Sequence, residues 1–365
     1  MKKLIFIIAL AAAAACACCA EKSIAEYNPD FENTLIQAMK PKNYPGWAHY
    51  QSEVQPLVLF HFSDIHSDGE GFDRYIRFYE TYEKYFDDAV CTGDLVEWSY
   101  AKSDFSFWAK TPGHEKILFV IGNHDTLRDH KDWKVPGVWD DQLSMQETYD
   151  GYFAANIGKW GVVYEKGKTY WYKDYPEKKV RMVGLDCMLR PEIDKAADDG
   201  QYEWFKKVLA DAKTKDLSVI MAYHVPPRNC VKIKCNFTDR DKEEGGINDA
   251  ANKYQAAVDE FMKSGGKFVM WLAGHTHWEE LCYNKDYPKQ LFFCIDSANW
   301  FQSNAYSFFD RRKGTKFRDL ADAVVVDTST KTVKMIRVGA NLTSDLVPRN
   351  GITINYETGE IISQY

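Results

Sequence analysis

The chain has 365 residues, a formal net charge of −7, 45% hydrophobic residues and 27% charged residues. That composition belongs to a globular protein with a substantial core, built as one large domain or two ordinary ones. The acidic balance, without a basic stripe, argues against a partner held by nucleic-acid phosphates.

Residues 1–20 read as an export signal rather than as part of the fold. Met1-Lys2-Lys3 is a positive leader, and Leu4 to Ala15 is an apolar run too short to span a bilayer. Ala13-Ala14-Ala15-Cys16 resembles a bacterial lipoprotein cleavage site in which the Cys takes the lipid, although the usual large apolar residue three positions earlier is missing. Ala15-Cys16-Ala17 also reads as a plain cleavage site. Both readings place the protein in the periplasm or cell envelope, and the first adds membrane attachment through a lipidated N-terminal Cys.

In an oxidising compartment cysteines pair. Cys282 and Cys294 flank a Pro-containing turn as cross-strand partners would, so a disulfide between them is expected. Cys230 and Cys235 close a short loop, while Cys91 and Cys187 lie in apolar strands and read as buried thiols.

Residues 21–53 form a polar lead-in with a short helix over Asp30 to Met39, read as a tether or a packing arm. The main domain is placed at 54–340. Its first strand, Pro56 to Phe62, ends in Asp64-Ile65-His66. Phe72 to Phe86 repeats apolar residues at helical spacing. Asp88 to Cys91 is a strand ending in Gly93-Asp94, and Ile117 to Ile121 is a strand ending in Gly122-Asn123-His124-Asp125. An insertion from Thr126 to Lys179 carries a helix around Met145 to Ile157. Val180 to Leu185 is a strand ending at Asp186, and Gln201 to Lys213 is an amphipathic helix. Leu217 to Ala222 is a strand ending in Tyr223-His224, and Asp249 to Lys263 is a helix stopped by Gly265-Gly266. Phe268 to Leu272 is a strand ending in Gly274-His275-Thr276-His277. Beyond it come strands with little helix: Leu291 to Ile295, Ala323 to Asp327 and Thr332 to Val338. The tail, 341–365, holds a hairpin around Thr358-Gly359. Strands alternating with helices indicate an α/β arrangement.

Asp64, His66, Asp94, Asn123, His224, His275 and His277 all stand just past the C-terminal end of an apolar strand. In α/β sheets that edge is where ligands bind, so strands sharing one sheet would bring the seven side chains together. His275 and His277, two apart on extended backbone, would point to the same side. The donors are nitrogen and oxygen without thiolate, which suits Mn, Fe, Zn or Ni and argues against Ca or a zinc finger. Seven donors exceed the needs of one ion, and two ions bridged by a carboxylate are a standard arrangement for displacement at phosphorus.

In order, Asp64-x-His66, Gly93-Asp94, Gly122-Asn123-His124-Asp125, His224 and Gly274-His275-x-His277 resemble the calcineurin-like metallophosphoesterase superfamily. The resemblance spans Leu57 to about Val338. It implies a β-sandwich of two mixed sheets flanked by helices. It also implies Asp64, His66 and His277 on one ion, Asn123, His224 and His275 on the other, Asp94 bridging, and His124 facing the substrate. Protein phosphatases of this superfamily carry Gly-Asp-x-x-Asp-Arg-Gly. Here Glu97 stands at the orienting carboxylate, and the Arg is lost. Purple acid phosphatases place a Tyr ligand where Glu97 stands, so a tyrosinate-coloured ferric site is not expected. The Asn-His-Asp ending resembles phosphodiesterase and nuclease branches.

The function read from the sequence is hydrolysis of a phosphate mono- or diester by a hydroxide bridging two metals, with His124 and Glu97 as catalytic residues. The reading from another class is a surface binding protein on a phosphoesterase scaffold, against which the intact ligand set argues. His49, His61, His114 and His130 are assigned to packing or surface, and Asp186 to a structural hydrogen bond. Trp98, Arg128, Arg190, Trp278 and Trp300 are assigned to packing or surface as well.

Overall fold

The computed structural model describes residues 22–40, 54–66, 69–96, 108, 111–126, 143–188, 200–226, 230–234, 247–284, 286–295, 297–298, 311, 314–340 and 351–364. The leader 1–20, Glu97, Cys235, Trp98, Arg128, Arg190 and Trp300 lie outside them, as do His49 and His130.

Two mixed sheets face each other, flanked by helices. The first has seven strands: β1 (Leu57–Phe62), β2 (Asp88–Cys91), β3 (Ile117–Phe119), β12 (Leu320–Asp327), β13 (Thr332–Gly339), β14 (Gly351–Asn355) and β15 (Ile361–Gln364). Their spatial order is β15-β14-β13-β12-β1-β2-β3. The second has eight: β4 (Val163–Tyr164), β5 (Trp171–Tyr175), β6 (Val180–Gly184), β7 (Ser218–Ala222), β8 (Cys230–Lys234), β9 (Lys267–Ala273), β10 (Glu280–Asn284) and β11 (Leu291–Cys294). Their order is β4-β5-β6-β7-β9-β11-β10-β8. β1, β2 and β3 run parallel, as do β6, β7, β9 and β11. Among the described residues no helix is long and apolar enough to cross a membrane.

Side chains alternate across a strand, and β1 uses both faces. Phe60 and Phe62 point to α3 (Gly69–Tyr82), where Phe60 lies 5.1 Å from Phe78 and Phe62 lies 5.0 Å from Tyr75, centroid to centroid. His61 points the other way, to Phe293 of the opposite sheet at 6.1 Å. Full burial of a side chain such as Phe60 stabilises by about 2–3 kcal/mol. On the far side, α5 (Gln201–Thr214) and α6 (Ile247–Lys263) cover the eight-stranded sheet through Phe205, Tyr254 and Tyr223.

The described part of the lead-in, residues 22–40, is a packing arm. α1 (Ile24–Tyr27) opens with a capping box between Ser23 and Glu26, and α2 (Phe31–Met39) buries Phe31 against Phe78, Tyr82 and Phe86. Asn28 accepts the Gly339 amide and Lys334 donates to the Ala38 carbonyl, tying the arm to β13. The C-terminal hairpin extends the same sheet, with β14 paired to β13.

The insertion helix differs from expectation. α4 (Met145–Thr148) is capped by Ser144 and then widens into a π-helical turn, Tyr149–Phe153. That turn sets Tyr152 and Phe153 against Phe119, at 5.4 and 5.9 Å.

The expected disulfide is not formed. Cys282 and Cys294 are buried thiols. The register pairs Cys282 with Phe292 and Glu280 with Cys294, so the two cysteines stand diagonally across β10 and β11. Diagonal neighbours lie about 7–8 Å apart, beyond what a disulfide bridges.

Candidate metal centre

The donors converge, but from two sheets rather than one. Asp64, His66, Asp94 and Asn123 follow β1, β2 and β3, while His224, His275 and His277 follow β7 and β9. The parallel strands of both sheets present their C-terminal ends to the same gap. A single-sheet reading misses this because strand-end patterns carry no information about which sheet a strand joins.

The loops are held by backbone bonds that continue past the strands. The Asp64 amide donates to the Gly93 carbonyl and the His66 amide to the Asp94 carbonyl, each at 3.0 Å. The Gly274 amide donates to the His224 carbonyl at 3.0 Å. The histidine tetrad is not extended. His275 and His277 have φ of 72° and 52°, and Asp64, His66 and Asp94 have φ of 56°, 47° and 52°. Non-glycine residues seldom adopt the left-handed region, and such strain collects at functional sites. The turn at each residue, rather than strand alternation, aims these side chains inward.

The glycines before the donors are required for close approach. A Cβ on Gly122 would meet the Asp94 Oδ1 at 2.2 Å, and one on Gly274 would meet the Ser63 Oγ at 2.0 Å and the Asp64 Oδ2 at 2.2 Å.

Two groups form, and Asp94 belongs to both. Asp64, His66, Asp94 and His277 keep their donor atoms within 4.8 Å of one another, and so do Asp94, His224 and His275. Asn123 joins the second group, its Oδ1 lying 2.8 Å from the His275 Nδ1 and 3.1 Å from the His224 Nε2. The His277 Nε2 is 3.2 Å from the Asp64 Oδ1, and the His224 Nε2 is 3.1 Å from the Asp94 Oδ2.

The donor set fits a cation. His224 Nδ1 donates to the Thr92 carbonyl at 2.7 Å, and a carbonyl only accepts, so in the neutral ring Nε2 carries a lone pair. That lone pair faces two further acceptors, on Asp94 and Asn123. Something positive must lie between them. In the protein without metal a proton serves: burial pulls the His224 imidazole down, but the Asp94 carboxylate and the Thr92 carbonyl outweigh it and raise it to about 9. Burial pushes the Asp64 carboxyl up, but His277 and His224 bring it down to about 2. Burial likewise opposes ionisation of Asp94, yet His224, His124 and His66 hold it well below the usual carboxylate range. Burial and the His277 ring keep His66 neutral, down to about 4. Burial, with the neighbouring imidazoles, also holds His124 well below the ordinary range. Its Nε2 lies 3.9 Å from the Asp94 Oδ2, and its ring centroid 4.4 Å from that of His66.

Asp125, the last residue of the Gly122-Asn123-His124-Asp125 motif, holds the loops together. Its carboxylate accepts four amides: Asp94 at 2.9 Å, Gly122 at 2.8 Å, Leu95 at 2.8 Å and Val96 at 3.2 Å. Asp94 Oδ1 in turn accepts the His124 amide at 2.9 Å. Burial and the Asp94 charge push Asp125 up, while the amides hold it the other way. Because an O–H would displace one of the four donors, the group carries its charge. The sequence signal was a carboxylate inside an apolar-flanked loop, where only convergent donors make burial tolerable.

His61 packs. Its Nε2 is 2.9 Å from the Thr92 Oγ1, and burial keeps it neutral, down to about 3. His114 Nδ1 donates to the Thr111 carbonyl at 2.7 Å. Asp186 accepts from Thr169 at 2.5 Å and from the Met188 amide at 2.8 Å, the structural role expected of it. Trp278 is half-buried against the core.

A two-sheet sandwich with buried His, Asp and Asn donors at the strand ends is the arrangement of the metallophosphoesterase class. The family model for calcineurin-like phosphoesterases matches residues 57–279, and the chain belongs to that family. The family implies a binuclear metal centre, and the two groups sharing Asp94 are the candidate ligands here. Among solved structures, a dimetal phosphatase from Danio rerio aligns at 12% identity and a TM-score of 0.47, covering 82% of this chain and 99% of that one. GAP50 of Plasmodium, described as the anchor in the inner membrane complex, aligns at 11% identity and a TM-score of 0.41, covering 85% of this chain and 88% of that one. A comparison with curated proteins finds no match.

Proposed function

We propose that the protein is an exported binuclear-metal phosphoesterase that hydrolyses a phosphate mono- or diester. The observation carrying this is that one buried carboxylate, Asp94, belongs to both donor groups. In this reading Asp64, His66 and His277 hold one ion, Asn123, His224 and His275 hold the other, and Asp94 joins them. The ions, of the Mn, Fe, Zn or Ni type, supply charge neutralisation and lower the pKa of water. Asp94 is set in place by the Asp125 carboxylate. His224 is oriented by its bond to the Thr92 carbonyl, which leaves Nε2 as the ligating atom. His124 is not needed as a ligand; of the two roles the motif offers it, transition-state donor or acid to the leaving oxygen, its neutral imidazole favours the first, an N–H donated to a phosphoryl oxygen. Glu97 is retained as a candidate orienting carboxylate on sequence grounds. Export rests on the leader sequence, and attachment to the membrane on Cys16.

A panel of nitrophenyl mono- and diesters, with Mn, Zn, Ni or Mg added to metal-depleted protein, tests the reading. Turnover of one ester class restored by a transition metal is expected. Full metal loading without turnover of any ester would favour a binding protein on the same scaffold.

A further inference from the structure

The loop carrying His277 joins β9 to β10 within the eight-stranded sheet, yet its imidazole meets Asp64 and His66 of the seven-stranded one. Part of what holds it is the His275 amide, which donates to both carboxylate oxygens of Asp64 at 3.0 Å. Another part is an ion cluster away from the donors. Arg337 of β13 donates through Nε and Nη2 to Asp322 of β12 at 3.1 and 2.9 Å, and through Nη1 to the Ala340 carbonyl at 3.0 Å. The same guanidinium pairs with the carboxylate of Glu279. The side chains of Arg337 and Asp322 are 1% and 0% exposed, and that of Glu279 is 7% exposed.

Glu279 stands two residues after His277 and directly before β10. We propose that Arg337 and Glu279 are positioning residues for His277, tying its loop to the β12–β13 hairpin of the opposite sheet and fixing how far its imidazole reaches into the first metal site. The proposal rests on the metal-centre reading above. A buried carboxylate stays beside its cation, because separation leaves both charges uncompensated in the interior. Two residues span at most about 7 Å, so fixing Glu279 confines His277 to a short arc. His277 has φ of 52°, a conformation that persists only where the surroundings impose it. The second site depends less on the tie, since His275 is held by the Asp64 carboxylate itself.

Glu279→Gln in the full chain is the primary variant, because it leaves the Arg337–Asp322 pair intact. Protein loaded with zinc is titrated with chelator, and bound zinc per chain is measured alongside the melting temperature of the metal-free form. The wild type must first hold two ions; if it does not, the metal-centre reading itself is wrong. Given two, E279Q should lose one ion at about 10- to 100-fold lower chelator, retain the other as the wild type does, and melt near the wild type when metal-free. His277→Ala should lose the same ion, and the double variant should lose no more than His277→Ala alone. A chelator curve superimposing on the wild type, or both ions leaving together with a lowered melting temperature, would overturn the proposal.

Discussion

His66 and His277, 211 positions apart in the chain, place their Nε2 atoms 2.8 Å from each other. One follows β1 and the other β9, so the contact joins the two sheets. With Asp64 and Asp94 beside them, these nitrogens define the first donor group. Protein prepared without chelator and supplemented with transition metal should therefore contain two ions per chain by elemental analysis. A saturated stoichiometry of one or zero would rule out the binuclear centre.

Metal uptake should release a proton. His224 is raised to about 9 in the metal-free protein, so at pH 7 it carries a proton that ligation through Nε2 displaces. The apparent affinity should rise with pH towards about 9 and then level. The linkage sign follows: the folded pKa lies above the ordinary 6.5, so this group stabilises the metal-free fold fully below pH 6.5, and the contribution is lost as pH rises through 9. Calorimetry at pH 7 in buffers of different ionisation enthalpy checks it. A binding heat independent of buffer would contradict the assignment.

His124→Ala and Asp94→Ala should separate chemistry from metal binding. Removing an acid or a donor to developing charge costs about 10²–10⁴ in rate, so H124A should keep two ions and lose turnover by that factor. D94A removes the residue shared by both groups and should lose metal and activity together. Metal content, melting temperature and kcat are measured on the same preparations. H124A with wild-type kcat, or one inactive only through metal loss, would remove His124 from the chemistry.

Gly274→Ala should act on the centre without removing a donor. Its Cβ would fall 2.0 Å from the Ser63 Oγ and 2.2 Å from the Asp64 Oδ2, so the β1 loop or the His275 loop must move. Such overpacking costs about 1–3 kcal/mol, and metal should be lost with it. Gly265→Ala is the control, with φ of 95° but nothing within 4 Å of the new Cβ. It should lower stability through backbone strain alone, about 1–2 kcal/mol, and keep both ions. Equal metal loss in the two variants would show that close packing at Gly274 is not what sets the centre.

The donors and their local setting were legible in the order of residues alone. Apolar runs of strand length, most of them ending in Asp, Asn or His, are local patterns, and β1, β2, β3, β6, β7, β9, β11, β12 and β13 appear within a few residues of where those runs place them, whereas β4, β5, β8 and β10 were not placed by any such run. Candidate ligand types, the glycines beside them and the phosphoesterase family were all legible in the same way. Folding settled what depends on which strands become neighbours. It split the donors between two sheets, kept Cys282 and Cys294 diagonal through the β10–β11 register, and set four amides on Asp125. It turned the donor residues through left-handed backbone rather than aiming them by strand alternation. It also placed Arg337 of one sheet against Glu279 of the other. The physical reason is common to these cases. Periodicity and residue type report on the few residues around a position, whereas sheet membership, register and the pairing of buried charges are settled by contacts between segments far apart in the chain.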